Sequence, residues 1–140
     1  MKNLKDIKAE FKELVENIPQ YLNALKNELS IVELEFNENE VKNIENWFKS
    51  LKPDAKTEDI KKMFFSYCSS AFIKSNGGEI ILDTKKKSIS FGEPIIINYG
   101  GKDYPWVAIS IFGWMRIIET RGLKRPLSET ILRNLKDKTD

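Results

Sequence analysis

The chain has 140 residues, of which 41% are hydrophobic and 31% are charged, and its formal net charge is +2 from 23 basic and 21 acidic residues. These proportions are typical of a soluble globular protein with one core, and the near balance of charge favours neither nucleic acid nor an acidic membrane surface as a partner. The chain contains no histidine, which removes the commonest general base and transition-metal ligand.

Residues 1–29 are predicted to form two consecutive helices, or one kinked helix. Apolar residues recur at spacings of three and four over residues 4–18 and 22–29, with charged residues between them, as in helices that pack on a core. Pro19 disfavours helical dihedrals at the residue before it, so we expect a break there. We find no signal-peptide region and no apolar run long enough to span a bilayer, and we therefore expect a cytoplasmic protein.

Residues 30–78 are also predicted to be mainly helical. Residues 30–36 are interpreted as a short strand or an extended linker. Asn37 and Glu40 have the spacing of a capping box and predict a helix that ends before Pro53. Thr57 or Asp59 would cap a second helix, the most apolar of the chain, and residues 76–78 would end it.

Cys68 is the only cysteine, so an intrachain disulfide is excluded. It lies on the apolar face of the helix predicted after Thr57, with Phe64, Tyr67 and Phe72. A thiol acts as a nucleophile when a neighbouring base or cation stabilises the thiolate, and the chain has no histidine for this role. We therefore interpret Cys68 as a buried structural residue.

Residues 79–103 are the part of the chain predicted to form a sheet. Residues 79–83 and 88–91 are predicted to pair as a hairpin around a turn at residues 84–87. Residues 94–99, which include three consecutive isoleucines, predict a strand that is buried on both faces or covered at an edge. We predict a small antiparallel sheet of three or four strands.

Residues 104–136 are predicted to contain the last helices. Val107, Ile111, Met115 and Ile118 form the apolar stripe of the first one, and Gly122 would cap its end. Gly113 within it suggests close packing against another element. The chain as a whole is predicted to be one α+β domain over residues 1–140, with N-terminal helices and a C-terminal helix packed on the sheet.

The glycine pairs and the lysine cluster do not predict a phosphate or nucleic-acid site. A Walker loop needs Lys-Ser or Lys-Thr after its last glycine at a helix start, and neither residues 77–78 nor residues 100–101 meet this requirement. Lys85, Lys86 and Lys87 have no aromatic neighbour and favour a solvated hairpin tip. We predict no catalytic, cofactor-binding or metal-binding residues.

Tyr99, Tyr104 and Trp106 cluster around the last predicted turn of the sheet region. Aromatic residues with a polar atom near a loop are common at protein interfaces, and they are equally common where a small domain closes its core. We name these three residues as the candidate partner-binding site.

The order of these segments resembles a loosely defined group of small bacterial α+β domains. The resemblance covers residues 31–130. It rests on the segment 34–38 before a helix, on the helix, glycine pair and strand of residues 69–79, and on the strand, turn and helix of residues 94–116. The group usually has a Gly-Glu pair in the helix before the glycine turn and a tryptophan in the first strand. This chain has Ala71 and Phe72 or their neighbours at the first place and Ile81 at the second. Some members of such groups look like immunity or accessory proteins of bacterial toxin systems, so the resemblance implies this role by analogy and implies no catalytic residues.

These sequence features are compatible with three functions. The first is a non-enzymatic protein-binding module, with a toxin-immunity protein as its concrete form and another protein as its partner. The second is an enzyme that uses carboxylates or lysine, with Glu79, Asp83 and Lys102 as candidates. The third is a small-ligand-binding domain with a cavity between the sheet and the helix of residues 60–72.

Overall fold

The computed structural model of the protein describes residues 3–100 and 108–132. Its elements follow the order expected of an α+β chain. They are α1 (Leu4–Glu16), α2 (Ile18–Leu29), α3 (Glu38–Ser50), a 3-10 helix (Pro53–Ala55), α4 (Glu58–Asn76), β1 (Glu79–Leu82), β2 (Pro94–Ile97), α5 (Ile111–Thr120) and α6 (Leu127–Ile131).

The N-terminal helices follow the sequence pattern. Asn3 caps α1 by accepting a hydrogen bond from the N–H of Asp6 at 2.9 Å. A break near Pro19 is confirmed, because α1 ends at Glu16 and α2 begins at Ile18 with Pro19 in its first turn. The break lies at Asn17, and Ile18, the residue before the proline, is helical. Helix α2 packs mainly against α4, and Leu25 on that side is completely buried. Helix α2 therefore covers one side of α4, and α1 packs on α2.

The start of α3 confirms the predicted cap and adds a longer-range contact. Asn37 accepts a hydrogen bond from the N–H of Glu40, and the Glu40 carboxylate accepts from the N–H groups of Glu35 and Phe36. The same carboxylate accepts from the hydroxyl of Tyr67 on α4 at 2.8 Å. Residues 30–36 are therefore a linker fixed by α3 and α4, and the alternative of a strand is wrong.

Helix α4 is the centre of the core, as its composition predicts. Thr57 caps its first turn, and Gly77 ends it with a positive φ of 74°. Phe64, Phe65 and Tyr67 are 0–1% exposed, and α2, α5 and α6 all pack against this helix. Phe64 stacks on Phe48 of α3 with 4.1 Å between the ring centroids.

The sheet is smaller than predicted. Within the part of the chain that the structure describes, β1 and β2 form a two-stranded antiparallel sheet, with Glu79 opposite Ile97 and Leu82 opposite Pro94. Ile109 adds one isolated bridge to Ile96 on the other side of β2. Three or four strands are therefore not confirmed. The predicted hairpin between residues 79–83 and 88–91 is wrong, because residues 88–91 form turns.

The C-terminal helices close the core. Ser110 caps α5 by accepting from the N–H of Gly113 at 3.0 Å, so this glycine lies in the first turn rather than in the middle of the helix. A Cβ at Gly113 would lie 3.2 Å from the side chain of Ser110, so the close contact is with the cap. Gly122 has a φ of 77° and follows the end of α5, as predicted. The predicted stripe residue Val107 lies outside the described residues.

Candidate functional site

The connection between β1 and β2, residues 83–93, is a closed loop that we call the Asp83 loop. The N–H of Asp83 donates to the carbonyl of Glu93 at 2.9 Å, and the N–H of Gly92 donates to the carbonyl of Asp83 at 2.8 Å. These bonds continue the antiparallel pairing past the ends of the strands and hold the two ends of the loop together.

The Asp83 carboxylate fixes the interior of the loop. It is 5% exposed and accepts hydrogen bonds from the N–H of Lys85 and the hydroxyl of Ser90. Ser88 in turn lies 3.1 Å from the hydroxyl of Ser90. Burial by itself raises the pKa of the Asp83 carboxyl, but the bonds from Ser88, Ser90 and Lys85 outweigh it, so the pKa lies below its usual value. The carboxylate therefore stays ionised inside the loop.

The loop presents an apolar side chain to solvent. Ile89 is 94% exposed, and Phe91 is 37% exposed. Lys85, Lys86 and Lys87 on the same loop are also exposed. Single exposed apolar residues are common on protein surfaces, but here the backbone beneath Ile89 is fixed by a buried carboxylate. The result is an ordered loop with an apolar tip beside three cations.

The base of the loop rests on the first helix. Gly92 has a φ of 81°, a conformation that side chains with a Cβ rarely adopt. A Cβ built on it would lie 3.6 Å from the Cδ1 of Ile7 in α1. The N-terminal helix therefore supports the loop from one side.

The predicted aromatic site is only partly covered by the described residues. Tyr99 is half-buried, and its ring makes a T-shaped contact with Phe72 of α4, with 5.2 Å between centroids and 81° between the planes. This contact places the Tyr99 ring beside the core. Tyr104 and Trp106 lie outside the described residues, so their role as partner-binding residues stays a prediction.

The residues of the enzyme hypothesis are not brought together in the described part of the chain. Glu79 is exposed at the start of β1, where its carboxylate lies 3.4 Å from the amide nitrogen of Asn98. Asp83 lies beyond the other end of the strand, and its carboxylate is engaged inside the loop. Lys102 lies outside the described residues. Glu79 and Asp83 therefore occupy separate environments.

Cys68 is buried, as its position on the apolar face predicts. It is 2% exposed, and burial, together with the nearby charge of Glu45, raises the pKa of its thiol well above the usual value. The thiol is therefore protonated and inaccessible in the folded protein.

A cleft of about 440 Å³ lies beside α5, and no pattern in the sequence predicts it. Besides the local pair of Glu58 and Lys61, two long-range ion pairs lie at this cleft: Lys56 with Glu119, and Arg116 with Glu93. Their partners are 63 and 23 positions apart. The local spacing of the sequence therefore contained no signal for either pair.

Among residues 3–100 and 108–132, no group of three or more Cys, Asp or Glu side chains is placed to hold a metal ion. No helix in these same ranges is long and apolar enough to cross a bilayer. In comparisons with known proteins, the chain matches no protein-family model, no curated protein and no solved structure.

Proposed function

We propose that this protein is a non-enzymatic protein-binding module and that the Asp83 loop is the surface with which it contacts its partner. The observation that carries the proposal is the 94% exposure of Ile89 on a loop fixed by the buried Asp83 carboxylate. A loop that is ordered before binding loses little conformational entropy when it docks. Full burial of an isoleucine side chain contributes roughly 1.5–3 kcal/mol, which suits an anchor residue.

The charge of the loop indicates the chemistry of the partner. Lys85, Lys86 and Lys87 are exposed beside the apolar tip. Complementary charge guides association and excludes partners of the same sign. We therefore expect a protein with an apolar depression for Ile89, surrounded by acidic side chains.

The resemblance of residues 31–130 suggests a concrete form for this function. It favours an immunity or accessory protein of a bacterial toxin system, which would act by covering a functional surface of the toxin. A bacterial source and a cytoplasmic location belong to this proposal. Tyr99, Tyr104 and Trp106 stay candidates for a second contact region with the same partner.

The proposal is tested by co-purification from cells of the source organism, with an affinity tag on the chain. We compare the wild type, Ile89→Asp and Val32→Asp. Val32 is a matched control because it is also 94% exposed but lies in the linker between α2 and α3. We expect one protein to co-purify in stoichiometric amounts with the wild type and with Val32→Asp, but not with Ile89→Asp.

The charge of the loop is tested on the same complex. Replacing Lys85, Lys86 and Lys87 with glutamate should slow association, with the largest effect at low ionic strength. The proposal is wrong if the wild type recovers no stoichiometric partner, or if Ile89→Asp recovers the partner as well as the wild type does.

A further inference from the structure

The cleft beside α5 combines apolar walls with a buried positive charge. Pro53, Phe112 and Met115 contribute apolar surface to the cleft, Phe48 is completely buried next to it, and charged side chains lie among them. Its volume of about 440 Å³ is in the range of pockets that hold small molecules, roughly 300–1,000 Å³. We propose that this cleft binds a small organic anion with an apolar body, whose anionic group contacts Lys56.

Lys56 is the residue that selects for an anion. Its side chain is only 5% exposed, and its ammonium lies 4.9 Å from the centre of the Phe48 ring. An ammonium has three N–H donors. Among the described residues, the hydrogen-bond acceptor of this ammonium is the carboxylate of Glu119. The buried cation therefore has donors left for a carboxylate, sulfonate or phosphate oxygen, and burial strengthens such a contact.

The carboxylates at the cleft can make room for a ligand. The Glu119 side chain is 35% exposed, whereas its partner Lys56 is almost completely buried. When an anionic group reaches Lys56, Glu119 can turn to solvent, where its charge is hydrated. The ligand's anionic group then replaces the Glu119 carboxylate as the partner of the buried Lys56 ammonium, so the charge is not left unpaired.

The other charges at the cleft are already paired at its edge. Arg116 binds Glu93 through both of its terminal nitrogens, and its side chain is 46% exposed. Glu58 is 81% exposed and lies 3.9 Å from Lys61. The acidic groups therefore lie nearer to solvent than Lys56 does. An organic cation would have to enter next to a buried like charge, which disfavours it.

The apolar walls are held in place from behind. Phe112 stacks on Phe65 of α4 with 5.3 Å between centroids, and Phe48 stacks on Phe64. Met115 is 4% exposed, and a flexible thioether adapts to the shape of a ligand. A flat hydrocarbon body fits between such walls better than a fully polar one.

The test uses naphthalene carboxylate as the probe and naphthalene methanol as its neutral counterpart. Each is titrated into the 15N-labelled protein, and the amide NMR signals of residues 112–120 report binding in the cleft. We expect the carboxylate to shift these signals and to bind at least about tenfold more tightly than the alcohol, the effect of one charge-assisted hydrogen bond.

Three variants separate the role of Lys56 from general attraction. Lys56→Met keeps most of the stem but removes the charge, and it should weaken carboxylate binding about tenfold without changing alcohol binding. Glu119→Gln removes the competing carboxylate and should strengthen carboxylate binding by about threefold. Lys42→Met is the control, because Lys42 is an exposed cation paired with Glu38 on α3, and it should bind like the wild type.

Several results would overturn the proposal. The proposal is wrong if the carboxylate shifts no cleft signal at millimolar concentration, or if both probes bind with equal affinity. Equal affinity of the carboxylate for the wild type and for a folded Lys56→Met variant would also contradict the proposal. If circular dichroism shows that Lys56→Met does not fold, the decision rests on the two probes and on Glu119→Gln. Weaker carboxylate binding to Glu119→Gln than to the wild type would then reject it.

Discussion

The carboxylate of Glu45 on α3 accepts a hydrogen bond from the backbone N–H of Leu127 at 2.7 Å, across 82 positions of sequence. Leu127 is the first residue of α6, and Asn76 donates to the carbonyl of Ile131 at the other end of that helix at 2.8 Å. Helix α6 has five residues, too few to be stable alone. Its two ends are therefore held by side chains of α3 and α4.

Replacing Glu45 should destabilise the fold. Glu45→Ala leaves the buried N–H of Leu127 without its acceptor and should lower the free energy of unfolding by about 1–3 kcal/mol. Glu45→Gln keeps an amide oxygen at this place and should cost less, although it loses the ion pair with Lys49. Urea denaturation followed by circular dichroism measures both variants. Equal stability of Glu45→Ala and the wild type would show that this bond does not hold α6.

Asp83 should give the Asp83 loop a pH-dependent stability. The folded-state pKa of its carboxyl is lowered, so the folded protein binds this proton more weakly than the unfolded chain does. The stabilisation is therefore complete above the pKa of the unfolded chain, about 3.9, and it is lost as the pH falls through the lower folded-state pKa.

The matched variant for this prediction is Asp83→Asn. It should be less stable than the wild type at pH 7, and the difference in the free energy of unfolding should shrink as the pH is lowered below about 4. Urea denaturation at several pH values measures this difference. A difference that stays constant from neutral to acidic pH would mean that the ionised carboxylate does not stabilise the loop.

The features that could be predicted from the sequence are those set by nearby residues. The caps at Asn37 and Thr57 link residues three positions apart, and the break before Pro19 arises from one ring. Residues 88–91 show the limit of this reasoning. Their alternating serines and apolar residues resemble a strand, yet Ser88 and Ser90 serve the hydrogen bonds around Asp83. The side-chain hydrogen bonds around Asp83 are present where the alternation predicts the backbone pairing of a strand.

The candidate cleft could not be predicted for a related reason. Lys56 and Glu119 are common surface residues in an unremarkable local context, and their contact depends on how α5 packs beside the start of α4. The alternation of residues 88–91 predicts a strand at Ile89, whereas the exposure of its side chain makes it a candidate for binding. Both features depend on tertiary packing, which the periodicity of the sequence does not encode.

Cys68 should be unreactive in the folded protein. Its thiol is buried, and the pKa of the thiol is raised by that burial and by Glu45, so the nucleophilic thiolate is scarce and shielded. An aromatic disulfide reagent should modify it only at the rate of unfolding, and one equivalent should react at once in denaturant. Fast modification under native conditions would show that α4 opens locally around this residue.

Ser30 ends α2 in the left-handed conformation, with a φ of 55°, and this position should accept glycine with a gain in stability. The left-handed region costs a residue with a Cβ about 1–2 kcal/mol, and glycine avoids this cost. Glycine also makes the unfolded chain more flexible, which offsets part of the gain in stability. Ser30→Gly should therefore raise the free energy of unfolding by about 0.5 kcal/mol. Ser50→Gly is the control, because Ser50 is helical at the end of α3 and glycine there should lower stability. Thermal and urea denaturation measure both, and a loss of stability in Ser30→Gly similar to that in the control would contradict the left-handed cap.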